Sequence, residues 1–246
     1  MSASGVSISV AGVRKAFGAF PALHGVTTDF EAGGMHGVIG PEGSGKTTLL
    51  RIVLGLLSPA AGAVSYAEDG RPSTLEAVRA RIAYMPQTQS LYADLSIEEH
   101  LEFFRDLYSL PPDVYAARRA ELLEVTRLAS FVDRPAGKLS GGMYKKLGLM
   151  CALLRSPRVL VLDEPTTGVD PISRRELWEL LYRLLDQGIL ILATTAYLDE
   201  AERCSKVHLI EAGRLISAGE PRALLAAEGA RSFDELFIRR AAAKAP

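Results

Sequence analysis

The sequence predicts an α/β fold, a mostly parallel sheet flanked by helices with an α-helical subdomain inserted into it. Three observations support this. Residues 35–39 form a short apolar strand that runs straight into glycine and then into a helix. Residues 159–162, Val-Leu-Val-Leu, are apolar at every position, the pattern of a strand buried on both faces of a parallel sheet. Between them, residues 96–154 are dominated by helical periodicity.

Length and composition agree with one large α/β domain or a core carrying a smaller subdomain, since the chain has 246 residues and is 48% apolar. The 28 basic side chains nearly cancel the 29 acidic ones, so no broad field attracts nucleic acid or an anionic lipid surface, and no nucleic-acid partner is expected. Cys151 and Cys204 are too far apart for a zinc spacing or a disulfide framework, which points to a reducing compartment. The longest apolar runs, 147–154 and 188–193, fall well short of the roughly 18 residues a membrane-spanning helix needs, and residues 1–5 lack the pattern of a secretory signal. Any connection to a membrane is therefore expected to run through a partner.

Along the chain, residues 6–10 alternate as a strand and Gly33-Gly34 makes a turn before the apolar strand at 35–39. Leu49, Leu50, Val53, Leu54 and Leu57 stripe a helix predicted over 46–57, closed by Ser58-Pro59. In the helical middle, Ile97, Leu101, Phe104 and Leu107 line one face, and Pro111-Pro112 breaks the run. Asp170-Pro171 reads as a cap and first-turn proline for a helix striped by Leu177, Leu180, Leu181, Leu184 and Leu185. A second buried strand at 189–193 completes another strand-helix-strand unit, and the tail after Pro221 reads as helical.

Gly40-Pro41-Glu42-Gly43-Ser44-Gly45-Lys46-Thr47 fits G-x-x-x-x-G-K-[ST] between a strand and a helix, the context its mechanism requires. Glycines let successive N–H groups turn inward as an anion nest, and the helix adds the positive end of its dipole. Lys46 is placed to reach β- and γ-phosphates, the Thr47 hydroxyl to ligate Mg²⁺, and Thr48 extends the loop into the helix. Asp163-Glu164 stands at the exit of the second buried strand, where open parallel sheets place ligands. Asp163 suits a Mg²⁺ contact, and Glu164 suits a general base or a group that polarises attacking water.

With Leu139-Ser140-Gly141-Gly142 added to these motifs, the sequence resembles the ATP-binding cassette family over nearly its whole length. The resemblance implies a P-loop NTPase core with an N-terminal antiparallel β part and an inserted helical subdomain. It implies a division into residues 1–90, the first part of the ATP-binding core, 91–155, the helical subdomain with the signature, 156–220, the second part of the core, and 221–246, a helical tail. ATP and Mg²⁺ are the implied cofactors. The implied partners are a second cassette, identical or different, facing this one head to tail, and integral membrane permease subunits that hold the chain on the inner face of the membrane.

In such a pair Ser140, Gly141 and Gly142, at the start of a helix over 143–154, close over the γ-phosphate held by the other subunit's phosphate loop. By the same resemblance Gln87 is the glutamine that senses Mg²⁺, and Lys46 and Glu164 join it as catalytic groups. Phe17 is the aromatic that stacks on adenine, with Phe20 as the alternative, and Asp170 crosses the pair's interface and would equally cap its own helix, two jobs that are compatible. Residues 139–147, 168–176 and 197–202 look most like ATPase subunits of ABC-2-type exporters. The segment 89–101, with Leu91, Tyr92, Leu95 and Ile97, corresponds to the surface that receives coupling helices of membrane subunits.

Two positions depart from the family pattern. Leu192-Ala193-Thr194-Thr195-Ala196-Tyr197 carries alanine where family members usually have histidine, and none of His24, His36, His100 and His208 falls in a motif position to replace it. The signature is followed by Met143 instead of glutamine. An imidazole at 196 would hydrogen-bond the γ-phosphate and help hold Glu164, so binding is expected to survive and turnover to be slow. A degenerate site paired with a competent one, a slow homodimer, a regulatory subunit and a laboratory substitution all fit this departure, and a non-transport cassette acting on the ribosome or nucleic acid is the alternative of a different class.

Overall fold

The computed structural model describes residues 5–88 and 91–242. The first part runs β1 (Val6–Phe17), β2 (Phe20–Phe30), β3 (Met35–Ile39), α1 (Lys46–Val53), β4 (Ala61–Glu68), β5 (Arg71–Ser73), α2 (Leu75–Arg79) and β6 (Ile82–Met85). Three helices follow, α3 (Ile97–Leu107), α4 (Pro112–Thr126) and α5 (Gly141–Leu153). The chain then returns to β7 (Val159–Asp163), α6 (Pro171–Asp186), β8 (Leu190–Thr195), α7 (Leu198–Ala201), β9 (Lys206–Glu211) and β10 (Arg214–Gly219). Two helices, α8 (Pro221–Ala227) and α9 (Phe233–Ala242), complete the described residues.

The strands form a four-stranded antiparallel sheet, β2-β1-β4-β5, and a six-stranded sheet, β10-β9-β3-β8-β7-β6. In the second, β9, β3, β8, β7 and β6 are parallel, and only β10 is antiparallel to its neighbour. The unbroken apolar runs follow from burial on both faces, because successive strand residues point to opposite sides. Leu160 and Leu162 of β7, with Ile191 and Ala193 of β8, enter a core shared with α5 and α6. Val159, Val161, Leu190 and Leu192 enter the other core, shared with α1 and the antiparallel sheet.

Several boundaries differ from the sequence pattern for local reasons. Helix α1 ends at Val53, because the amides of Leu56 and Leu57 both return to the Arg51 carbonyl in a turn that stops the helix before Ser58-Pro59. Ile97 is fully buried while Leu107 is 61% exposed, since at about 100° per residue Leu107 lies at the edge of the stripe. Of the residues expected to form a docking surface at 89–101, Ile97 belongs to the core and Tyr92 is exposed, and Gln89 and Ser90 lie outside the described residues. Strand β8 extends two residues beyond the apolar run to Thr194 and Thr195, whose buried hydroxyls bond carboxylates. Helix α5 starts two residues before Met143, capped by Ser140. No helix among the described residues is long and apolar enough to cross a membrane.

A buried polar chain crosses β2, β3 and β9. Thr28 Oγ1 lies 2.7 Å from His208 Nδ1, His208 Nε2 lies 3.0 Å from His36 Nδ1, and His36 Nε2 lies 3.2 Å from the Glu31 carbonyl. One arrangement satisfies every contact: both rings neutral, each with its proton on Nε2, and the threonine hydroxyl donating. Burial holds both imidazoles below the ordinary histidine range, His208 at about 3, with Glu31 partly opposing the shift at His36. Below about pH 6.5 the unfolded chain takes up protons that these rings refuse in the fold, so stability is present above that pH and is lost as pH falls toward 3. Urea unfolding between pH 7 and 5 should show this decline, and His208→Gln should reduce the slope by about one proton's worth. An unchanged slope in that variant would contradict the assignment of neutral rings.

Candidate active site

Strand β3 delivers the chain into the loop 40–45, and Lys46 opens α1. Gly40 has φ +155°, and a Cβ there would sit 1.9 Å from the Ile210 carbonyl oxygen, so only glycine lets the loop lie against the end of β9. Helix α1 has no side-chain cap, which leaves its first amides to the loop's concave face. Lys46 curls back into this loop, donating from Nζ to the carbonyls of Gly40 at 2.8 Å and Pro41 at 2.9 Å. Burial pushes the Lys46 ammonium below the usual lysine range, and Glu164, Asp163 and Glu42 pull it back up. The Ser44 hydroxyl is buried without a hydrogen-bond partner.

The ends of β7 and β8 supply the acidic side. Asp163 is fully buried, and its Oδ1 accepts from Thr47 Oγ1 at 3.0 Å and from Thr194 Oγ1 at 2.7 Å. The Tyr84 hydroxyl reaches Oδ2 at 3.5 Å. Thr194 Oγ1 also accepts the Glu164 N–H at 2.8 Å, so one hydroxyl ties both acids to the neighbouring strand. Glu164 has φ +49°, a costly conformation for a non-glycine residue that this bond helps to hold. Its Oε2 accepts from Gln87 Nε2 at 2.8 Å and from Thr167 Oγ1 at 3.2 Å.

These groups surround a cavity of about 270 Å³ lined by Phe17, Phe20, Ala22, residues 42–48, Gln87 and Glu164. Phe17 and Phe20 are both exposed at its rim, 51% and 64%, so both aromatics considered for the base are present there. Gly40 and Pro41 join through Lys46, and Asp163 joins through Thr47. A polyphosphate with a hard divalent cation fits this donor set. The loop amides, Lys46 and the orphaned Ser44 hydroxyl are donors suited to an anion, and the oxygens of Thr47 and Asp163 suit a cation. Gln87 turns its amide nitrogen to Glu164, so its Oε1 is the end with the chemistry to accept a cation.

Ser140, Gly141 and Gly142 are not part of this lining. Ser140 Oγ caps α5 by accepting the Met143 N–H at 3.3 Å. A Cβ on Gly142 would lie 2.3 Å from Ser173 Cβ, so the glycine lets α5 start hard against the first turn of α6. Asp170 caps that helix through the amides of Ile172 at 3.1 Å and Ser173 at 2.9 Å.

Sequence reasoning missed four groups that frame the site. Thr194 and Tyr84 sit on apolar strands where a hydroxyl reads as filler. Lys145, buried on α5, points its Nζ at the carbonyls of Gln87 and Glu164 at 3.4 and 3.5 Å, and burial holds its pKa below the usual lysine range. The only signal for it was a lysine on an otherwise apolar helix face. Fully buried Glu200 accepts from Thr166 at 3.0 Å, Thr195 at 2.6 Å, Trp178 at 3.0 Å and Arg174 at 2.8 Å. It binds the loop after Glu164 to the strand end before Ala196.

A family model described as ABC transporter matches residues 23–167. The chain belongs to the ABC transporter family, as an ATP-binding cassette. This cassette is 45% identical over 228 residues to the Escherichia coli K12 protein named "Probable multidrug ABC transporter ATP-binding protein YbhF", covering 92% of this chain and 39% of that protein. It is 41% identical over 217 residues to the Nod factor export ATP-binding protein I of Burkholderia orbicola strain AU 1054, covering 88% of this chain and 71% of that one. A solved structure described as the ATP binding subunit of an ABC transporter superposes with a TM-score of 0.82 at 32% identity, over 94% of this chain and 98% of that chain. The cassette thus spans well under half of the first relative's length and about seven tenths of the second's.

The Thr194 contacts make a direct stability test of this site. Replacing Thr194 by valine keeps the shape but strips one donor from buried Asp163 and orphans the Glu164 N–H, which should cost about 1–3 kcal/mol. Urea unfolding of the nucleotide-free cassette should show that loss in Thr194→Val and most of the stability restored in Thr194→Ser. Equal stability of the valine variant and the parent would show that the hydroxyl does not hold the two acids.

Proposed function

We propose that the cassette binds MgATP and hydrolyses it at the interface of a head-to-tail pair of cassettes, whose closure drives transport by separate integral membrane subunits. The observation that carries this reading is the gathering of Lys46, Thr47, Asp163, Glu164 and Gln87 around one cavity below two exposed aromatics. Lys46 and the loop amides bind the β- and γ-phosphates, and Phe17, with Phe20 beside it, offers the adenine a stacking face. Thr47, Asp163 and the Oε1 of Gln87 are the oxygens for Mg²⁺, which when bound neutralises charge on the β- and γ-phosphate oxygens. Glu164 takes a proton from water as the water oxygen attacks the γ-phosphorus and the bond to the β–γ bridging oxygen breaks, giving ADP and phosphate.

Ser140, Gly141 and Gly142 stand apart from their own chain's cavity, which suits use by the nucleotide of the second cassette. In this reading residues 91–155 move as the helical subdomain between core segments 1–90 and 156–220. Exposed Tyr92 is part of the surface offered to the membrane subunits. The name of the Nod factor export relative favours export, and in this reading the cassette works peripherally on the inner face of the membrane.

Ala196 favours a second reading in which hydrolysis is slow and the subunit acts largely through ATP binding. Phosphate release measured side by side should rise several-fold or more in Ala196→His, whereas Glu164→Gln should keep nucleotide binding and fall to background. An unchanged rate on introducing the imidazole would remove the second reading. Turnover persisting in the glutamine variant would remove Glu164 from the chemistry.

A further inference from the structure

The carboxylate of Glu164 is held from one side only. Glu164 opens the turn that follows β7, and the Thr167 N–H reaches back to its carbonyl at 3.4 Å. This turn brings the Thr167 hydroxyl to Glu164 Oε2 at 3.2 Å, the same oxygen that accepts from Gln87 Nε2 at 2.8 Å. The backbone beneath is pinned as well, by Thr194 on the N–H at 2.8 Å and Lys145 near the carbonyl at 3.5 Å. Both side-chain bonds fall on Oε2, so Oε1 is the oxygen free to meet water.

We propose that Thr167 is a positioning residue for Glu164, supplying by its hydroxyl the orienting contact that an imidazole at position 196 would otherwise supply. This rests on the reading that Glu164 acts on the attacking water. The terminal torsion of a glutamate is broad, so a carboxylate with one donor still rocks about it, whereas two donors converging on one oxygen fix its plane. Gln87 alone is a poor anchor, because the same amide must also serve the cation through Oε1. Ala196 presents only a methyl group and contributes no bond. Thr167 lies outside the phosphate loop and outside the cation's oxygen set, so its effect should fall on turnover and spare nucleotide affinity.

Thr167→Val preserves the β-branched shape and removes the hydroxyl, and Thr167→Ser restores it. Single-turnover hydrolysis at saturating MgATP should slow roughly tenfold in the valine variant, with the ATP dissociation constant within about twofold and the thermal midpoint nearly unchanged, and the serine variant should recover most of the rate. In the Ala196→His background the same valine substitution should cost only about twofold, because the imidazole then shares the orienting contact. A purely structural turn residue would not show that dependence on position 196. A valine variant that turns over at the parental rate, or loses the same factor in both backgrounds, would overturn the proposal. Hydrolysis that survives Glu164→Gln would overturn it for a different and recognisable reason, by removing the reading on which it stands.

Discussion

The structure is organised around the burial of one ammonium group. Lys46 is only 5% exposed, and a charge so far from water must find compensation within the fold. It finds two carbonyl oxygens of its own loop, and three carboxylates, Glu164, Asp163 and Glu42, near enough to raise its proton affinity against the effect of burial. That requirement sets the path of the chain from β3 through the loop into α1. It also explains why the carboxylate-bearing end of β7 must lie beside α1, since Thr47, the next residue, bonds Asp163 directly.

The same logic of compensated burial recurs one layer out and gives the site its rigidity. Glu200 is fully buried, yet four donors from α6, β8 and the loop after β7 divide evenly between its two oxygens. A buried carboxylate satisfied this completely tolerates little movement of the elements around it. The signature helix is tied in by two lysines of different reach. Lys145 faces the Gln87 and Glu164 carbonyls, and Lys146 pairs with Glu176 of α6 at 2.5 Å and reaches the Thr126 carbonyl at 3.2 Å. Movement of α5 is thereby coupled to the loops that carry Gln87 and Glu164 on one side and to α6 on the other.

The parts legible in the sequence were those whose chemistry is local. The phosphate loop, the Asp163-Glu164 pair, the Asp170-Pro171 cap and the apolar run of β7 each depend on neighbours within a few residues. The unread parts depend on long-range pairing. His36 and His208 are 172 residues apart and meet only because β3 and β9 are adjacent in the sheet. Thr194 looks like the ragged end of an apolar strand until β7 lies beside β8 and places it between two acids. Ile97 and Leu107 share a periodic stripe, but ten residues at about 100° each carry Leu107 to its edge, where it is exposed while Ile97 is buried. The end of α1 is set differently, by the Leu56 and Leu57 amides that return to the Arg51 carbonyl and not by the proline that follows.

The proposed function rests on the loop around Lys46 taking the phosphates of a nucleotide. The most direct measurement is a calorimetric titration of the folded, nucleotide-free protein with ATP in the presence of Mg²⁺. The account predicts a saturable isotherm that is lost when Lys46 is replaced by alanine in a protein that still unfolds cooperatively. No saturable heat in the parent protein, or an isotherm unaffected by loss of the ammonium group, would contradict it.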